Sequence, residues 1–350
     1  MPMAQMVAIH GSNGLAAKWP MYVEELGYQV LHVNAYGTAI LEELQGCSAF
    51  LWNVDQDSPN DLVFGRSILL AAQQSGVRVF PDHATVWHFD DKVAQKYLLE
   101  SVGAPLVRTW VFYDRSTAES FVRTACYPLV FKLRGGAASQ NVRLLRTPKE
   151  AMRVVHAMFG TGIRANPFGA GVRRAVERAR QKRDDGASIL GRGQRAAYGL
   201  LRRIVAPVRE RGYVLFQQFI AGNSCDIRVT VIGDRAFVYT RGVRPNDFRA
   251  SGSGLNTYLT RDEIPIDVVE AAFGVVKRLG AQALALDFVR DMSNGRACLL
   301  EISYTFVPSY IERCPGYLTS SMEWHGGSFH PSRLILEDLL TDSALTTQTS

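Results

Sequence analysis

The segment ALALDFVRDMSNGRACLLEIS, residues 283–303, contains two apolar runs, 283–289 and 297–302, separated by a turn-forming stretch. Asn294-Gly295 in that stretch is a strong signal for a β-hairpin. We therefore predict two antiparallel strands joined by a three-residue loop, residues 293–295.

This hairpin brings two acidic side chains together. Asp287 lies directly opposite Glu301 in the predicted register, and Ser303 shares their face because side chains alternate along a strand. Two carboxylates among hydrophobic residues are costly to bury unless something neutralises them. A hard cation such as Mg²⁺, which proteins hold with one or two carboxylates plus nucleotide phosphates, meets that need. Two ordinary acids at strand ends fit this stretch equally well.

Length and composition indicate a globular chain of several domains. The chain has 350 residues, of which 47% are hydrophobic and 21% charged, so it can form two or three domains with cores of their own. Its first residues have no basic start, long apolar run or cleavage site, which predicts a cytoplasmic protein. The five cysteines show no CxxC spacing, which argues against a zinc site.

The first part of the chain alternates short apolar runs with helical patterns. Residues 6–10, 30–33, 49–52 and 77–80 have the pattern of buried strands, and stretches such as 62–75 between them have that of helices. Such alternation predicts an α/β domain whose parallel sheet has helices on both faces.

Two lysines occur where an anion is expected. In WHFDDKVAQKYLLESVGAP, Asp90 is the predicted N-cap of a helix, which puts Lys92 in the first turn, where a cation opposes the helix dipole and needs an anionic partner such as phosphate. Lys132 ends the apolar strand PLVFKL, directly before the small-residue loop 134–142, whose amides can close over phosphates. A solvated lysine and a flexible hairpin connection are the alternatives.

Residues 161–211 differ in character from the rest of the chain. They hold 12 Arg and 1 Lys against 4 acidic residues, a net charge of +9, so the remainder of the +6 chain sums to −3. Two helices are predicted here. The segment suits an anionic membrane surface, an acidic glycan or nucleic acid, or is simply a solvated face. Because aromatic residues do not interleave the arginines, we expect no specific nucleic acid partner.

Four arginines follow the strand YVLFQQFI, residues 213–220. Arg228 lies in a predicted strand of residues 226–232, and Arg241, Arg244 and Arg249 come after the next strand. Arginines at even spacing or on one short loop can converge on one anion, for which their forked donors are suited.

Taken together, these motifs resemble the ATP-grasp superfamily, especially its ribosomal-S6-modification-like carboxylate–amine ligases, over about residues 80–310. The resemblance covers Lys92 in FDDK, Lys132 in LVFKL, the lid GGAASQNV, the hinge strand LFQQFI and the segments DIRVTVIGDRAF and RGVRPNDFRASGSG. It implies ATP binding by Lys92, Lys132, Gly135, Gly136, Ala137, Ser139, Gln217, Gln218, Phe219 and Ile220, catalysis by Arg228, Arg241 and Arg249, and magnesium binding by Asp287, Glu301 and Ser303.

The resemblance also implies an architecture of three domains. These are an N-terminal pre-ATP-grasp domain with a linker helix (1–110), a central lid domain with the Arg-rich helical insertion 161–211 (111–219), and a C-terminal α+β domain carrying the metal site (220–340). The family's usual Glu-x-Asn is Glu301-Ile302-Ser303 here, which leaves one or two metal ions open.

The implied activity is an ADP-forming ligase that turns a carboxylate into an acyl phosphate and joins it to an amine. Both substrates would be small molecules, the protein a homodimer, and its location cytoplasmic or peripheral to the inner membrane face. Similarity of the tail and of DFRASGSG to proteins of surface-polysaccharide assembly implies a sugar acid or amino acid acceptor. An inactive ATP-binding regulator and a basic adaptor for an anionic membrane or polymer stay as alternatives.

Overall fold

A computed structural model describes residues 5–56, 58–135, 141–164, 209–245 and 247–341. The chain forms two compact units, which we call the large unit (Met1–Val107 and Ile220–Ser350) and the small unit (Arg108–Phe219). The predicted three-domain boundaries stay a prediction.

The first stretch of the large unit alternates strands and helices. Its elements are β1 (Met6–His10), α1 (Trp19–Glu25), β2 (Gln29–His32), α2 (Ile40–Glu43), β3 (Cys47–Trp52), α3 (Arg66–Gln74), β4 (Arg78–Phe80), α4 (His83–Val86) and α5 (Lys92–Ser101), with a 3₁₀ turn at Gly14–Ala17 and a π-helical turn at Asp61–Gly65.

The small unit follows. It consists of β5 (Thr109–Phe112), α6 (Arg115–Thr124), β6 (Leu129–Lys132), β7 (Val142–Leu145), α7 (Pro148–Met158), β8 (Ile163–Arg164), β9 (Arg209–Glu210) and β10 (Val214–Gln218).

The second stretch of the large unit is mainly antiparallel. Its elements are β11 (Cys225–Ile232), β12 (Arg235–Gly242), β13 (Asn256–Tyr258), a 3₁₀ turn at Arg261–Glu263, α8 (Ile266–Leu279), β14 (Ala283–Arg290), β15 (Ala297–Ser303), α9 (Pro308–Ile311), β16 (Gly316–Leu318), β17 (Trp324–Gly326) and α10 (Pro331–Thr341).

The predicted parallel sheet is confirmed. Its strands run in the order β2-β1-β3-β4, and every neighbouring pair is parallel. The central strands β1 and β3 are almost wholly buried, since helices cover them, and β3 contributes Phe50, Leu51 and Trp52 to the core of the large unit. The carboxyl ends of β1, β2 and β3 lie at one edge of this sheet.

A seven-stranded sheet forms the rest of the large unit. Its order is β15-β14-β11-β12-β16-β17, with β13 paired to β12. Helix α8 packs on it through a stripe at helical spacing that includes Val268, Ala272 and Val275, all fully buried. The helix ends at Gly280, whose φ of +63° is the left-handed conformation that glycine adopts without strain.

The small unit is built on a four-stranded antiparallel sheet. Its order is β5-β10-β6-β7, and α6 and α7 supply apolar faces to its core. Phe131 of β6 and Phe216 of β10 are fully buried there, and Phe121 of α6 stacks on Phe216 at 6.0 Å between ring centroids. The predicted Arg-rich helices of residues 161–211 lie largely outside the described residues.

The hairpin of β14 and β15 confirms the pairing of Asp287 with Glu301, although the predicted loop is one residue too short. The Asp291 N–H donates to the carbonyl of Arg296, which leaves four loop residues, and the Asp291 side chain accepts hydrogen bonds from Ser293. The register then shifts between Asp287 and Phe288, so this irregularity restores the predicted pairing.

Within the described residues, none of the helices combines the length and apolar character needed to cross a membrane.

Candidate active site

Four side chains form a row across the antiparallel sheet. Glu301 of β15 is paired with Asp287 of β14, Asp287 with Arg228 of β11, and Arg228 with Tyr239 of β12. Directly paired residues on neighbouring strands project to the same face of a sheet. The row therefore places two carboxylates, a guanidinium and a phenol on one face.

Two further residues extend this row into a buried cluster of charges. Asp226 lies two residues before Arg228 on β11, hence on the same face, and is paired in register with Arg241 of β12. We call Asp226, Arg228, Arg241 and Asp287 the buried quartet. Asp226, Arg241 and Asp287 are each 5% exposed, and the Arg228 side chain is 15% exposed.

The quartet is held by forked hydrogen bonds. Arg228 donates from Nε to Oδ1 of Asp287 at 2.6 Å and from Nη2 to Oδ2 at 2.9 Å. Arg241 donates to both oxygens of Asp226, at 2.8 and 2.6 Å, and its Nη2 also lies 2.6 Å from Oδ2 of Asp287. The two guanidinium groups thus neutralise the two carboxylates, so the four groups can be buried together without an added ion.

Burial and pairing move the pKa values of the quartet in different directions. Burial alone would raise the pKa of Asp287, but Arg228 and Arg241 outweigh it and hold that pKa below its usual range. For Asp226 burial prevails over the charge of Arg241, so its pKa is raised. Asp287, with two arginine partners, is accordingly the carboxylate that stays ionised most firmly.

The other end of the row is open. Glu301 has a side chain that is 34% exposed, and the Lys92 ammonium lies 3.5 Å from its Oε1. Ser303, two residues on, shares its face; its hydroxyl donates to the carbonyl of Thr305 at 3.0 Å. The Lys92 side chain itself is only 6% exposed, so the opening is at Glu301. We call Lys92, Glu301 and Ser303 the open rim.

Lys92 begins helix α5, as predicted, but the predicted N-cap is wrong by one residue. Asp91 is the cap, and its carboxylate accepts from the N–H groups of Val93 and Ala94 at 3.1 and 2.9 Å. Asp90 has a φ of +52°, and its carboxylate lies 3.9 Å from the Lys92 ammonium. The chain itself therefore supplies the anionic partners that the position of Lys92 demands.

The donor set at Asp287 and Glu301 suits a hard cation. Both are carboxylates, and Asp287 has about four lone-pair sites, of which the arginines engage three. The described residues contain no group of three or more His, Cys, Asp or Glu side chains arranged to hold a metal. The two carboxylates fit a magnesium ion that takes its other ligands from phosphates and water.

Arg249 lies apart from the quartet in the loop after β12. Its guanidinium donates to both oxygens of Asp247, at 2.8 Å from Nε and 2.7 Å from Nη2. The hydrogen bond from Arg249 lowers the pKa of Asp247 to about 2. The neighbouring Arg244 donates to the carbonyl of Ser251 at 2.8 Å. The structure therefore brings Arg228 and Arg241 together and ties Arg249 to its own loop.

The remaining predicted residues belong largely to the small unit. Lys132 is the buried last residue of β6, where it is paired with Leu215 of β10. Gln217 is buried and donates to the Thr109 hydroxyl at 3.1 Å, whereas Gln218 is exposed. Phe219 is half-buried at the end of that unit, and Ile220, which begins the second stretch of the large unit, is half-buried too.

The glycine-rich loop is described only at its base. The side-chain amide of Asn141 donates to the carbonyl of Gly135 at 3.3 Å, and the Leu133 N–H donates to the carbonyl of Asn141 at 3.1 Å. The predicted residues Gly136, Ala137 and Ser139 lie outside the described part of the chain.

Sequence reasoning missed Asp226, the acid that holds Arg241. A signal was present, because Asp226 and Arg228 are two residues apart in one strand and therefore share a face. What the sequence did not show is that β11 lies between β12 and β14, so that this face meets both Arg241 and Asp287.

Comparison with known proteins gives no match by sequence, either to a family model or to a curated protein. Solved structures do match. The RimK domain ATP-grasp protein from Sphaerobacter thermophilus has a TM-score of 0.54 and 14% identity, covering 96% of this chain and 99% of that one. The D-alanine–D-alanine ligase from Bacillus anthracis has 0.55 and 11%, covering 99% and 98%.

A third match was solved with a nucleotide. The biotin carboxylase domain of 2-oxoglutarate carboxylase from Hydrogenobacter thermophilus, in complex with MgADP, ADP and bicarbonate, has a TM-score of 0.57 and 15% identity. The match covers 96% of this chain and 69% of that one. Identities this low establish a shared fold and leave chemistry to be argued from the residues.

Proposed function

Since the chain has the ATP-grasp fold, we propose that it is an ATP- and magnesium-dependent ligase joining a carboxylate to an amine. In this reaction a substrate carboxylate oxygen attacks the γ-phosphorus of ATP, and ADP leaves. The amine then attacks the acyl carbon of the resulting acyl phosphate, phosphate leaves, and the nitrogen loses a proton. The products are an amide, ADP and phosphate.

One observation carries this proposal. Glu301, Asp287 and Arg228 lie side by side on three neighbouring strands, which puts two carboxylates and a cation in one row. Lys92 adds a second cation 3.5 Å from Glu301. A nucleotide triphosphate with its magnesium needs this combination of acidic and basic groups.

Within the row we assign each residue a task. Asp287 and Glu301 hold magnesium, which when bound neutralises charge on the transferring phosphoryl group. Lys92 and Arg228 bind phosphate oxygens, and their present carboxylate partners keep them positioned before the nucleotide arrives. Ser303 is a third candidate oxygen ligand, although its hydroxyl is bonded to Thr305.

Two arginines are assigned to the second step. We propose that Arg241 and Arg249 stabilise the oxyanion that forms when the amine adds to the acyl phosphate. Arg241 is supported by its position beside Asp287, at 2.6 Å. The role of Arg249 rests on the sequence resemblance, and its guanidinium donates to Asp247.

The small unit carries the other proposed ATP-binding residues. Lys132 would bind phosphates, Gly135, Gly136, Ala137 and Ser139 would cover them, and Gln217, Gln218 and Phe219, with Ile220 just beyond, would meet the adenine. The MgADP complex of the biotin carboxylase domain supports nucleotide binding as a property of proteins with this fold. The residue assignments rest on the resemblance of LVFKL, GGAASQNV and LFQQFI to the family motifs.

A binding experiment tests the nucleotide site. Lys92→Met and Lys132→Met should each weaken Mg-ATP binding about tenfold or more, because a charge-assisted hydrogen bond is lost. Lys96→Met is the matched control, since Lys96 lies one turn further along α5 and pairs with Glu100 at 2.7 Å. If calorimetry shows that both the Lys92 and the Lys132 variants bind Mg-ATP with wild-type affinity, the proposed nucleotide site is refuted.

A turnover experiment tests the reaction. The wild-type protein with Mg-ATP is screened against amino acids and uronic acids for ADP release, with joined products identified by mass. Glu301→Gln should lose magnesium-dependent turnover, whereas Asp262→Asn, an exposed acid in the turn Arg261–Glu263, should keep it. Full turnover by Glu301→Gln would exclude this carboxylate as a metal ligand.

The inactive ATP-binding regulator is the second candidate. It is favoured because the Ser303 hydroxyl donates to the Thr305 carbonyl and accepts from the Thr305 N–H, which leaves one lone pair for a metal. It predicts Mg-ATP binding without ADP release for every pair screened. The homodimer, the sugar or amino acid acceptor, and an anionic surface or glycan bound by residues 161–211 stay predictions; that segment lies mostly outside the described residues.

A further inference from the structure

A cavity of about 350 Å³ lies at the carboxyl edge of the parallel sheet in the large unit. Its walls come from the segment after β2, which includes Tyr36 and Ile40, and from the segment after β3, which includes Phe64, Ser67 and Ile68. This volume lies within the range of small-molecule sites. Ligands of open parallel sheets bind outside the carboxyl ends of the strands, which is where both of these segments lie.

The wall of the cavity is held by a buried acid that the proposed reaction does not use. Asp61 is 7% exposed; it accepts from the Tyr36 hydroxyl at 2.6 Å, from the Trp52 indole at 3.1 Å and from the Asp55 N–H at 2.9 Å. Burial, together with this bond to Asp61, raises the pKa of Tyr36 to about 12. Tyr36 is thus fixed, and its hydroxyl faces Asp61.

The chemistry of the lining is apolar. None of the described residues that line the cavity is charged, and their side-chain hydroxyls are those of Tyr36 and Ser67. Phe64 is 52% exposed and Tyr36 39%, so two aromatic rings stand at the surface beside the opening. A sugar acid would find few hydrogen-bond partners in this lining, whereas an apolar side chain would bury apolar surface against it.

The cavity is connected to the candidate active site within the large unit. Tyr304, which follows Ser303 directly, is fully buried and donates to the carbonyl of Val54 at 2.9 Å. Val54 lies two residues after the end of β3 and is followed by Asp55, whose N–H binds Asp61. A chain of fixed contacts therefore joins the end of β15 to the wall of the cavity.

We propose that this cavity binds the uncharged apolar side chain of an amino acid substrate. The assignment of that amino acid as a reactant rests on the proposed ligase function, while binding itself does not. Tyr36 and Phe64 contact the side chain, and Asp61 acts as a positioning residue through the Tyr36 hydroxyl. The occupant of this cavity is accordingly a hydrophobic amino acid rather than a uronic acid.

Calorimetry with the full chain tests the site using L-phenylalanine, L-leucine and glucuronic acid as probes. We expect the two amino acids to bind and glucuronic acid not to bind. Ser67→Trp, at an exposed lining position, should fill the cavity and weaken amino acid binding about tenfold or more. Val63→Trp is the matched control, since Val63 is 62% exposed, neighbours Phe64 and lies outside the lining.

Equal affinities in the Ser67→Trp and Val63→Trp variants, or binding of glucuronic acid that Ser67→Trp blocks, would overturn the proposal. So would a failure of both amino acids to bind the wild-type protein. Measuring ADP release separates this proposal from the proposed ligase function. If Ser67→Trp leaves the turnover of amino acids unchanged, the cavity proposal alone is refuted. If Ser67→Trp loses amino acid binding and no pair of substrates releases ADP, the cavity proposal is supported and the ligase function is refuted.

Discussion

The buried quartet and the open rim occupy one face of one sheet, and they treat their carboxylates in opposite ways. Asp287 is 5% exposed and receives hydrogen bonds from Arg228, with Arg241 also within 2.6 Å. Glu301, directly opposite on β15, is a third exposed and has Lys92 at 3.5 Å. The change from a buried, ion-paired carboxylate to a partly exposed one therefore occurs between the two neighbouring strands β14 and β15.

This difference separates two requirements of a phosphate-binding site. Asp287 is fixed before any ligand arrives, because its neutral cluster holds it in place by several charge-assisted hydrogen bonds. Glu301 can take a new partner, because a third of its side chain is exposed and water or a ligand can reach the carboxylate. The arginines of the quartet also neutralise its carboxylates in the absence of metal, which the sequence alone did not reveal.

The largest expected effect comes from breaking the quartet. Asp287→Asn leaves the guanidinium groups of Arg228 and Arg241 with one carboxylate, so we expect a loss of about 3–5 kcal/mol in the free energy of unfolding. Glu301→Gln should change it by less, since Glu301 is one-third exposed and Asp90 still lies 3.9 Å from the buried Lys92 ammonium. Urea denaturation at pH 7 measures both, and equal losses would mean that the two carboxylates do not differ as described.

The next largest expected effect is a loss of stability in acid, which comes from His88 rather than from the quartet. His88 is fully buried, and neither ring nitrogen has a hydrogen-bond partner among the described residues. Burial, with a smaller contribution from Arg66, lowers its pKa to about 4, against 6.5 for the ordinary side chain. The unfolded chain therefore binds a proton at His88 before the folded chain does.

Stability should consequently fall by about 3 kcal/mol as pH drops from about 6.5 to 4, and the loss ends below the folded pKa. The ion pairs of Asp287 stabilise the fold throughout this window, and acid weakens them only below the ordinary aspartate pKa of 3.8, because Arg228 and Arg241 hold the pKa of the folded state lower still. His88→Leu should flatten the curve in this window, whereas His83→Gln, at an exposed position, should not. A wild-type curve that is already flat would contradict the prediction.

A smaller effect is expected at the loop after β12. Arg249→Ala removes a guanidinium that is 29% exposed and bound to Asp247, so stability should change by at most about 1 kcal/mol. If Arg249 acts in the second step, turnover should fall much more than Mg-ATP affinity does. Arg333→Ala, which removes an exposed pair with Glu337, is the control for stability and should leave turnover unchanged.

The smallest effect should come from the rim itself. Ser303→Asn replaces a half-buried hydroxyl that binds Thr305 by an amide, and we expect a change in unfolding free energy within about 1 kcal/mol. The added amide oxygen is a better ligand for a hard cation, so less magnesium should be needed for half-maximal turnover. An increased magnesium requirement would show that this position faces away from the metal.

Much of the fold could be predicted because its signals are local. Short apolar runs alternating with helical patterns indicated the parallel sheet of β1 to β4, and alternation with Asn294-Gly295 indicated the hairpin of β14 and β15. Element ends differ by one or two residues, as for β3, which begins at Cys47. The family motifs likewise marked Lys92, Arg228, Asp287 and Glu301 without any structure.

The sequence by itself determined which residues share a strand face, since side-chain alternation is a property of the backbone. Only the tertiary structure decided which strands are neighbours, and so that Asp226 and Arg241 join Arg228 and Asp287 in one neutral cluster. It also decided that Tyr36 and Phe64, 28 positions apart in the chain, line one cavity. Such contacts depend on how the connections between strands order the sheet, and no short stretch of sequence specifies that order. Burial and charge balance act only after the strands have assembled.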